Sequence, residues 1–592
     1  MSLFCSIFND LIYIKFDLNL FELMKTLVLK DLKYTEILSK NKVLGESLSN
    51  SPMYTISVLS NIITSQLNDI LEFVIRSQAI NAKVNFGDYD NIVQNSETYA
   101  DSNVVIVFWE LANIIDGLQY KSLTMTSEEI AALIVKVKQE IDFVFYSLST
   151  TPLVIFNQFS TLIFNQHFLR ANQFDEICNE LNQYISSNLP SNFFLIPIDK
   201  LFAQVSIERS VDFRYYYSSK SLYSIEFFKC YAQFISPLIL SVNGKSKKVL
   251  VLDCDNTLWK GIIGEDGLNG ISLSTNDKNG IFFEEVHHLI KNLSKDGVIV
   301  CLCSKNNESD LDEIWKSRSD FTLSERDIFA KKINWQSKDK NLQELIEDLN
   351  VGADSLVFVD DSSFEISCVE SNLPEVTTLQ VPKLIYTYPS LFRETTSLFF
   401  KPSQTAEDKK RLEMYHYEAR RKNERKKFAS VDEYLSSLEL KLSIHINHSD
   451  HLTRASQLTQ KTNQFNLTTK RYTETEIKDL LEGGDHRIYV MEVSDKFGDY
   501  GLTGLAIIAI NHTEAEIDTF LLSCRVLGRN IEINFVNFII NDLKELGINH
   551  IFANYAKTSK NMQVANFYEK NGFDILSASD SRTEYRLSLN SL

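Results

Sequence analysis

The sequence predicts a multidomain α/β protein, and three observations support this class. The chain has 592 residues, which is too long for one hydrophobic core and suggests roughly three to four domains. Hydrophobic residues make up 44% of it and charged residues 23%, as in ordinary globular proteins. Short apolar runs alternate with helical patterns in the first 240 residues, a pattern typical of parallel sheets covered by helices.

Changes of composition divide the chain into four regions. Residues 1–240 read as an α/β domain, and the polar stretch that follows them precedes an abrupt apolar strand. Residues 241–400 form a second α/β region. Residues 401–430 are basic and almost free of core-sized aliphatics, which predicts an exposed connecting helix. Residues 431–592 read as a smaller α+β domain.

Charge and cysteine content restrict the partners and the compartment. The formal net charge is -18 and the pI is near 5.2, which argues against nucleic-acid binding because phosphate neutralisation needs a basic face. Eight cysteines are scattered without a disulfide-like spacing, as expected in a reducing cytosol. Asp10, Lys15 and Asp17 interrupt the apolar N-terminal stretches, so we expect a cytoplasmic protein without a signal peptide, membrane span or membrane partner.

A buried-type strand ends on two carboxylates. The apolar run at residues 249–252 is followed by Asp253 and Asp255, with Thr257 two positions further on. Carboxyl ends of central parallel strands are where α/β sheets bind ligands. Two anions this close repel each other unless a cation or a shared proton intervenes, so we expect a bound Mg²⁺.

Three further features place phosphate-binding and metal-binding chemistry downstream. One apolar strand ends on Ser304, whose hydroxyl can bind a phosphate oxygen, and Lys338 can neutralise phosphate charge. A second apolar strand delivers Asp360 and Asp361, an acidic pair suited to a metal. Taken singly, Ser304 could be a helix cap, Lys338 a surface lysine and Asp360 a cap. The combination in this order is far more specific than any one of them.

This series of motifs resembles the haloacid dehalogenase superfamily, which has D-x-D-x-T, a Ser or Thr, a Lys and an acidic pair. The resemblance implies a Rossmann-like central domain that handles phosphoryl groups. It implies that Asp253 is the nucleophile or a direct metal ligand. It assigns Asp255 as general acid/base and as a backbone contact to the metal, and Thr257 as a support of the loop.

The same resemblance implies two binding groups in the central domain. The phosphate-binding residues would be Thr257, Ser304 and Lys338. The Mg²⁺ ligands would be Asp253, Asp255, Asp360 and Asp361.

Longer stretches resemble the FkbH-like branch of that superfamily, subfamily IIIC. They are residues 245–267, 303–306, 333–336 and 457–469. Members load a glyceryl unit from 1,3-bisphosphoglycerate, a phosphorylated three-carbon substrate, onto the phosphopantetheine thiol of an acyl carrier protein in polyketide-type biosynthesis. The alternatives are a small-molecule phosphatase acting through an aspartyl-phosphate, and a non-catalytic scaffold for carrier proteins. Relatives usually have Asn-Pro where this chain has residues 362–363, Ser-Ser, so the shape of that loop is open.

Cys303 allows two interpretations. A thiolate next to Ser304, near Mg²⁺ or Lys338, could carry the acyl group as a transient thioester. A cysteine in an apolar strand also behaves as a small hydrophobic residue.

The C-terminal region resembles GNAT acyltransferases. Residues 524–530 would open a helix after a strand, where backbone N–H groups bind the pyrophosphate of coenzyme A. The resemblance assigns Arg525, Gly528 and Arg529 to this site. Residues 566–573 match the late helix and turn of that fold. The ligand would be coenzyme A, or the chemically similar phosphopantetheine arm of a carrier protein.

The N-terminal region resembles the SGNH-hydrolase-like module that precedes the central domain in FkbH-like proteins. Residues 59–61 lie where such folds carry a nucleophilic serine, yet neither G-D-S-L nor a convincing D-x-x-H near Asp212 is present. We therefore expect a degenerate or docking domain rather than an active esterase.

Two basic or imidazole-rich segments also leave alternatives open. His445, His448 and His451 suggest a zinc site, but a strand that passes into a helix capped by Ser449 or Asp450 would explain them without metal. The basic strip 420–427 reads as a solvated helix face, or as a surface that steers an acidic carrier protein.

Overall fold

The computed structural model of the chain describes residues 29–401, 428, 431–523, 526–558, 560–579 and 581–589. The described residues build three β-sheets. The chain divides into two compact units, Met1–Leu240 and Ser241–Leu592. The connecting segment predicted at 401–430, with its basic strip, lies almost entirely outside the described residues.

The first unit contains a five-stranded, fully parallel sheet in the order β2-β1-β3-β4-β5. Its central strands are continuous apolar runs because both faces of a parallel sheet are covered by helices. The strands are β1 (Tyr54–Ser60), β2 (Ala82–Phe86), β3 (Val104–Phe108), β4 (Val154–Asn157) and β5 (Phe193–Ile196). The helices are α1 (Tyr34–Ser47), α2 (Leu67–Arg76), α3 (Ile92–Thr98), α4 (Leu118–Lys121), α5 (Ser127–Ser147), α6 (Leu162–Asn165), α7 (Gln173–Asn188), α8 (Ile198–Val205), α9 (Ile207–Ser210), α10 (Phe213–Ser219) and α11 (Ile225–Val242).

Helix α11 is the one described helix that is long and apolar enough to cross a membrane by length and composition. Its apolar window is 61% buried inside the protein. Phe227 and Tyr231 pack against Phe108 of β3, with ring centroids 6.4 and 5.2 Å away. These contacts explain the apolar composition of α11 as that of a core helix.

The central sheet belongs to the second unit and is also fully parallel, in the order β10-β9-β6-β7-β8. From β6 the chain moves to β7 on one side, and it later returns to β9 on the other side. The strands are β6 (Val249–Leu252), β7 (Ile299–Ser304), β8 (Ala330–Ile333), β9 (Leu356–Asp360) and β10 (Thr377–Gln380). The helices are α12 (Ile263–Gly270, interrupted at Gly267), α13 (Ile281–Lys295), α14 (Glu308–Ser317), α15 (Lys338–Leu349), α16 (Ser363–Asn372) and α17 (Tyr388–Thr396).

The third sheet is mixed and has seven strands in the order β11-β12-β13-β14-β15-β17-β16. Its one parallel pair among the described strands, β14 with β15, is joined by a long helix. The strands are β11 (Lys441–Ile446), β12 (His486–Asp495), β13 (Gly498–Asn511), β14 (Glu514–Leu522), β15 (His550–Ala556), β16 (Asp574–Ala578) and β17 (Arg582–Ser588). The helices are α18 (Val431–Ser437), α19 (Leu452–Lys461), α20 (Glu474–Gly483), α21 (Ile531–Glu545) and α22 (Phe567–Lys570).

Separate hydrophobic clusters fill both faces of the central sheet and both faces of the third sheet. Two parallel sheets and one mixed sheet, each covered by helices, confirm the prediction of a multidomain α/β protein.

Candidate functional site

Asp253 lies directly after β6, at the carboxyl edge of the central sheet. Its backbone N–H donates to the Val359 carbonyl at 2.9 Å, so the ladder between β6 and β9 extends to this residue. Its side chain is only 7% exposed. The chain leaves β6 and β9 towards opposite edges of the sheet, and this is the topological switch point at which α/β sheets bind ligands. Asp253 therefore occupies the position expected of a ligand-binding carboxylate.

Lys338, the first residue of α15, joins two carboxylates. Its Nζ donates to Oδ1 of Asp253 at 2.6 Å and to Oδ2 of Asp360. The lysine side chain is 5% exposed. Burial by itself would lower the pKa of Lys338, but the Asp253 and Asp360 carboxylates outweigh it and raise the pKa. The helix start thus places a permanent positive charge between two of the predicted metal ligands.

Asp360 ends β9, and Asp361 follows it. Asp360 is fully buried, and its Oδ1 accepts a hydrogen bond from the Ser362 backbone N–H at 2.9 Å. Ser362 is the N-cap of α16, where its hydroxyl accepts from the Glu365 N–H at 3.4 Å. The first serine of the Ser-Ser pair at residues 362–363 therefore supplies a helix cap next to the acidic pair.

The carboxylates of Asp253, Asp360 and Asp361 form one group. One oxygen of each lies within 4.8 Å of the others. Burial raises the pKa of Asp253 to about 6, although the Lys338 ammonium opposes the shift. Burial also raises the pKa of Asp360 and of Asp361, and the negative charge of Asp253 adds to the effect on Asp361.

This donor set fits a hard divalent cation. Among these four groups, three carboxylates face a single ammonium, so two negative charges are uncompensated when all are ionised. Mg²⁺ prefers oxygen ligands and is commonly held by one or two carboxylates together with waters or phosphate oxygens. Asp253, Asp360 and Asp361 would hold the ion, and it would relieve the repulsion that raises their pKa values.

Asp255 has a different environment from that of Asp253. Its Oδ1 accepts hydrogen bonds from Trp259 Nε1 at 2.9 Å and from the Ile263 backbone N–H at 3.0 Å. Its Oδ2 accepts from Asn306 Nδ2 at 2.9 Å. Three donors, two from the stretch after β6 and one from the loop after β7, fix this carboxylate, and its side chain is not part of the three-carboxylate group. The placement suits an oriented proton donor or acceptor that touches a metal through its backbone alone, as the resemblance implies.

Thr257 lies in the tight turn after β6. Its N–H donates to the Cys254 carbonyl at 3.1 Å, and its own carbonyl accepts from the Tyr388 hydroxyl at 3.1 Å. Its Oγ1 is buried and has no hydrogen-bond partner among the described residues. Asn256 adopts a left-handed conformation (φ 53°) in this turn, which asparagine tolerates better than most residues. These backbone contacts fix the turn, while the predicted role of the Thr257 side chain stays a prediction.

Ser304 ends β7 and is 2% exposed. Its Oγ accepts a hydrogen bond from Asn306 Nδ2 at 3.1 Å, and the same amide group donates to Asp255. Asn306 therefore couples the predicted phosphate-binding serine to the predicted acid/base residue. Sequence reasoning gave Asn306 no role, although it lies in the 303–306 stretch that carries the resemblance.

A second contact that the sequence did not reveal joins Lys305 and Glu365. The Lys305 Nζ donates to Glu365 Oε1 at 2.6 Å, and the carboxylate side chain is 10% exposed. The pair connects the loop after β7 to the first turn of α16, so it braces the two segments that carry Ser304 and Asp361. These two residues are 60 positions apart in the sequence. Their contact can therefore be seen only in the three-dimensional structure.

Cys303 is the predicted catalytic residue that the geometry argues against. Its side chain is fully buried in the core beneath α15 and α16, on the face of β7 opposite to Leu302. Its Sγ contacts the Lys338 backbone carbonyl at 4.0 Å. Burial raises the pKa of the thiol to about 12, and the Lys338 ammonium offsets only part of this shift. Burial and the raised pKa favour a packing role for Cys303 over a thiolate, while its part in acyl transfer stays a prediction.

The predicted pyrophosphate-binding turn lies between β14 and α21. Arg525 is outside the described residues. Gly528 has φ +74° with open space around it, a conformation that glycine adopts at no steric cost. The guanidinium of Arg529 lies 4.8 Å from the Tyr500 ring centroid, and the residue is 9% exposed. The strand-turn-helix order agrees with the prediction, while the ligand of this turn stays a prediction.

The predicted serine position of the N-terminal sheet lacks a catalytic arrangement in the part of the chain that the structure describes. Ser60 is 7% exposed, and its hydroxyl donates to the Ile62 carbonyl at 2.9 Å. The neighbouring Asn61 pairs with the backbone of Glu110 through its side-chain amide. Burial raises the pKa of Glu110 to about 7, and the Tyr223 hydroxyl donates to it. These contacts hold the local fold together, and the degenerate character of the domain stays a prediction.

Comparison with solved structures supports the fold of this site. The chain is similar to the N-terminal part of the protein BF1531 from Bacteroides fragilis, which contains a phosphatase domain and is complexed with Mg. The two are 23% identical with a TM-score of 0.55, over 63% of this chain and 100% of that chain. This similarity shows a shared fold.

Weaker structural similarities involve acetyltransferases. The ribosomal-protein-S18-alanine N-acetyltransferase from Escherichia coli is 13% identical over 25% of this chain and 94% of that chain, with a TM-score of 0.21. The PaiA N-acetyltransferase from Thermoplasma acidophilum in complex with coenzyme A is 15% identical over 25% and 99%, with a TM-score of 0.20. Scores this low carry no conclusion. No protein-family model and no curated protein matches the sequence.

Proposed function

We propose that the chain is an Mg²⁺-dependent enzyme that handles phosphorylated substrates at the carboxyl edge of its central sheet. One observation carries the proposal. Asp253, Asp360 and Asp361 lie within 4.8 Å of one another, and the buried Lys338 bridges two of them. The shared fold with the N-terminal part of BF1531, whose phosphatase domain is complexed with Mg, supports the same conclusion.

The residues suit phosphoryl transfer to a carboxylate. An oxygen of Asp253 would attack phosphorus, forming a P–O bond to the enzyme as the bond to the leaving oxygen breaks. Asp255 would give a proton to that leaving oxygen and would later take one from the water that hydrolyses the aspartyl-phosphate. Ser304 and Lys338 would hold the phosphate oxygens. Mg²⁺, when bound, would supply charge neutralisation for the phosphoryl group.

The finer proposal is that the substrate is an acyl phosphate and that the product is a carrier-bound thioester. It rests on the resemblance of residues 245–267, 303–306, 333–336 and 457–469 to FkbH-like proteins. Phosphoryl transfer from 1,3-bisphosphoglycerate to Asp253 would release an unactivated carboxylate. Glyceryl loading instead needs a phosphopantetheine thiolate that attacks the acyl carbon, forms the C–S bond and expels phosphate.

The site would therefore bind and polarise the acyl phosphate during loading. The turn at Gly528 and Arg529 would receive the phosphopantetheine arm of the carrier protein, since this arm shares its pyrophosphate-linked chemistry with coenzyme A. Because Cys303 is buried and protonated, the thiol of the carrier itself would attack the substrate, without an enzyme thioester at Cys303.

Phosphate release tests the general proposal. The wild-type chain should release phosphate from a generic aryl phosphate in the presence of Mg²⁺ and lose this activity with a chelator. Asp253→Asn should abolish the activity, since it removes both the nucleophile and a metal ligand. Asp348→Asn is the matched control, because Asp348 lies on the solvent-exposed side of α15 and pairs with Lys332. Activity that survives in Asp253→Asn would contradict the proposal.

Mass spectrometry tests the finer proposal. A phosphopantetheinylated carrier protein is incubated with the chain, Mg²⁺ and 1,3-bisphosphoglycerate. A glyceryl mass shift that disappears in Asp255→Asn supports loading. Phosphate release without any mass shift would leave a small-molecule phosphatase. Carrier binding that is insensitive to Mg²⁺ and to Asp253→Asn, with no phosphate release, would indicate a non-catalytic scaffold.

A further inference from the structure

A second group of metal-binding side chains lies far along the sequence from the carboxylates, on the third sheet. His445, His451 and Glu492 each place one ligand atom within 4.8 Å of the others. The His445 Nε2 is 3.5 Å from Glu492 Oε2. Imidazole nitrogens with a carboxylate oxygen form a donor set that suits Zn²⁺ and related divalent transition metals.

The third imidazole of the segment, His448, lies beside this group without being part of it. The ring centroid of His448 lies 5.8 Å from that of His445 and 5.2 Å from that of His451. The Asp450 carboxylate lies 3.7 Å from His448 Nδ1. A carboxylate near one ring nitrogen is the usual way to orient the other ring nitrogen towards a metal. Three imidazoles and one carboxylate would complete the four-coordinate shell that Zn²⁺ adopts in structural sites.

The fold brings these residues together on one face of the edge of the sheet. Glu492 pairs with Ser443, two residues before His445 in β11, so His445 and Glu492 are diagonal neighbours on the same face. The chain then turns at Asn447, which has a left-handed conformation (φ 53°). Asn447 exchanges two hydrogen bonds of 2.8 Å with the Ile488 backbone, one through its N–H and one through its Oδ1. This fixed turn returns the chain so that His451 faces His445.

Two observations favour a ligand over a role in capping. Nε2 of His445 is shielded from solvent, and its 3.5 Å approach to Glu492 Oε2 does not form a hydrogen bond within the described residues, so its hydrogen-bonding capacity is unused. Neither Ser449 nor Asp450 caps the following helix. The N-cap of α19 is His451, and its side chain makes no capping hydrogen bond. The strand does pass into helical turns, as the sequence suggested, but Ser449 and Asp450 lie inside a short 3-10 turn and cap neither it nor α19.

We propose that His445, His448, His451 and Glu492 bind one zinc-class divalent ion, which fastens edge strand β11 to β12 and to the start of α19. The partial positive charge at the start of α19 opposes a cation, and the Glu492 carboxylate supplies the compensating negative charge. The site is independent of the phosphatase-type chemistry at Asp253.

Metal titration of the full chain tests the proposal. The metal-stripped protein is titrated with Zn²⁺ against a chromophoric chelator, in excess Mg²⁺ so that the carboxylates of the central sheet are saturated. We expect one Zn²⁺ per chain. Replacing a residue that merely orients a ligand already weakens metal binding about 10–100-fold, so His445→Gln and Glu492→Gln should each weaken it at least about 100-fold. His167→Gln, which changes an exposed histidine of the N-terminal unit, should leave it unchanged.

Two further measurements keep the outcomes distinct. Co²⁺ in place of Zn²⁺ should give the visible absorption of a four-coordinate ion in the wild type and lose it in Glu492→Gln, which conserves side-chain shape. The Asp253→Asn variant should keep its Zn²⁺ affinity. Unchanged Zn²⁺ affinity in both His445→Gln and Glu492→Gln, or loss of affinity in Asp253→Asn, would overturn the proposal. A melting temperature that Zn²⁺ fails to raise would overturn the fastening role.

Discussion

Replacing Lys338 by methionine is the sharpest test of how the carboxylate group is held. The substitution keeps the length and most of the apolar volume of the side chain but removes the ammonium that donates to Asp253 and Asp360. Both acids are then left buried without their counter-charge when they are ionised. We expect a large loss of stability in the absence of Mg²⁺, and a smaller loss in its presence.

The magnitude follows from burial. Removing one partner of a buried ion pair typically costs about 3–5 kcal/mol, because the remaining charge is uncompensated. Lys332→Met is the matched control on the adjacent strand β8. The Lys332 side chain is 20% exposed and pairs with Glu344 and Asp348, which are 49% and 56% exposed, and pairs of this kind are worth about 0–1 kcal/mol. Mg²⁺ at 100 times its dissociation constant should return about 2.7 kcal/mol to Lys338→Met by mass action.

Urea unfolding followed by tryptophan fluorescence measures these differences. Three of the four tryptophans, Trp259, Trp315 and Trp335, lie in the region of the central sheet, so the signal reports chiefly on that region. The slope of the free energy of unfolding against urea should be the same in all variants. Two results would refute this account of the carboxylate group. One is an equally small loss of unfolding free energy in Lys338→Met and Lys332→Met, and the other is a Lys338→Met variant that Mg²⁺ does not stabilise.

Three more predictions concern the same edge of the sheet. The pKa of Asp253 is about 6 in the folded chain, and its ordinary value is 3.8. Between these two values the folded protein binds more protons than the unfolded chain. The stability of the metal-free protein should therefore fall as the pH rises from about 4 to 6. Melting temperatures measured over this pH range check the prediction, and added Mg²⁺ should make them depend less on pH. A melting temperature that rises with pH in the metal-free protein would contradict the prediction. Asn306→Ala should lower kcat about 10–100-fold with little change in KM, since Asp255 and Ser304 lose the hydrogen bonds that orient them. A change in KM as large as the change in kcat would argue against a positioning role for Asn306. Cys303→Ala should keep phosphate release and carrier loading while lowering stability by about 1 kcal/mol; loss of loading alone would restore the thioester hypothesis.

The positions of the carboxylates could be predicted from sequence because strand ends are local features. One apolar run stops on Asp253, and another stops on Asp360. Each of these stops indicates the end of a buried strand. Carboxyl ends of parallel strands share one edge of a sheet, so the meeting of these residues follows without any knowledge of side-chain contacts. Lys338 was found because a lysine at that point completes a recognised order of motifs.

The contacts that hold the site could not be predicted in this way. Asn306 donates to Asp255 across 51 positions, and Lys305 donates to Glu365 across 60. Such pairs depend on how helices pack over the sheet edge, and no local pattern encodes that. The proximity of Cys303 to Lys338 was anticipated from the sequence, but the direction of its thiol was not, because the alternation of side chains along β7 places the thiol in the core.

The carboxylate group contributes poorly to stability, so we explain it by the metal ion that we propose it binds. Buried ion pairs lose solvation that their attraction repays only in part, and the raised pKa of Asp253, Asp360 and Asp361 shows that burial penalises their charged forms. The core is already filled on both faces of this sheet. Apolar side chains at its edge would therefore make the domain more stable than buried carboxylates do. Groups that are perturbed together by burial and by one another, at the switch point of a parallel sheet, are typical of a binding or catalytic site. Under the proposed function, a divalent cation would remove the repulsion while the carboxylates stay charged, so the feature that weakens the metal-free fold would prepare it to hold a phosphate.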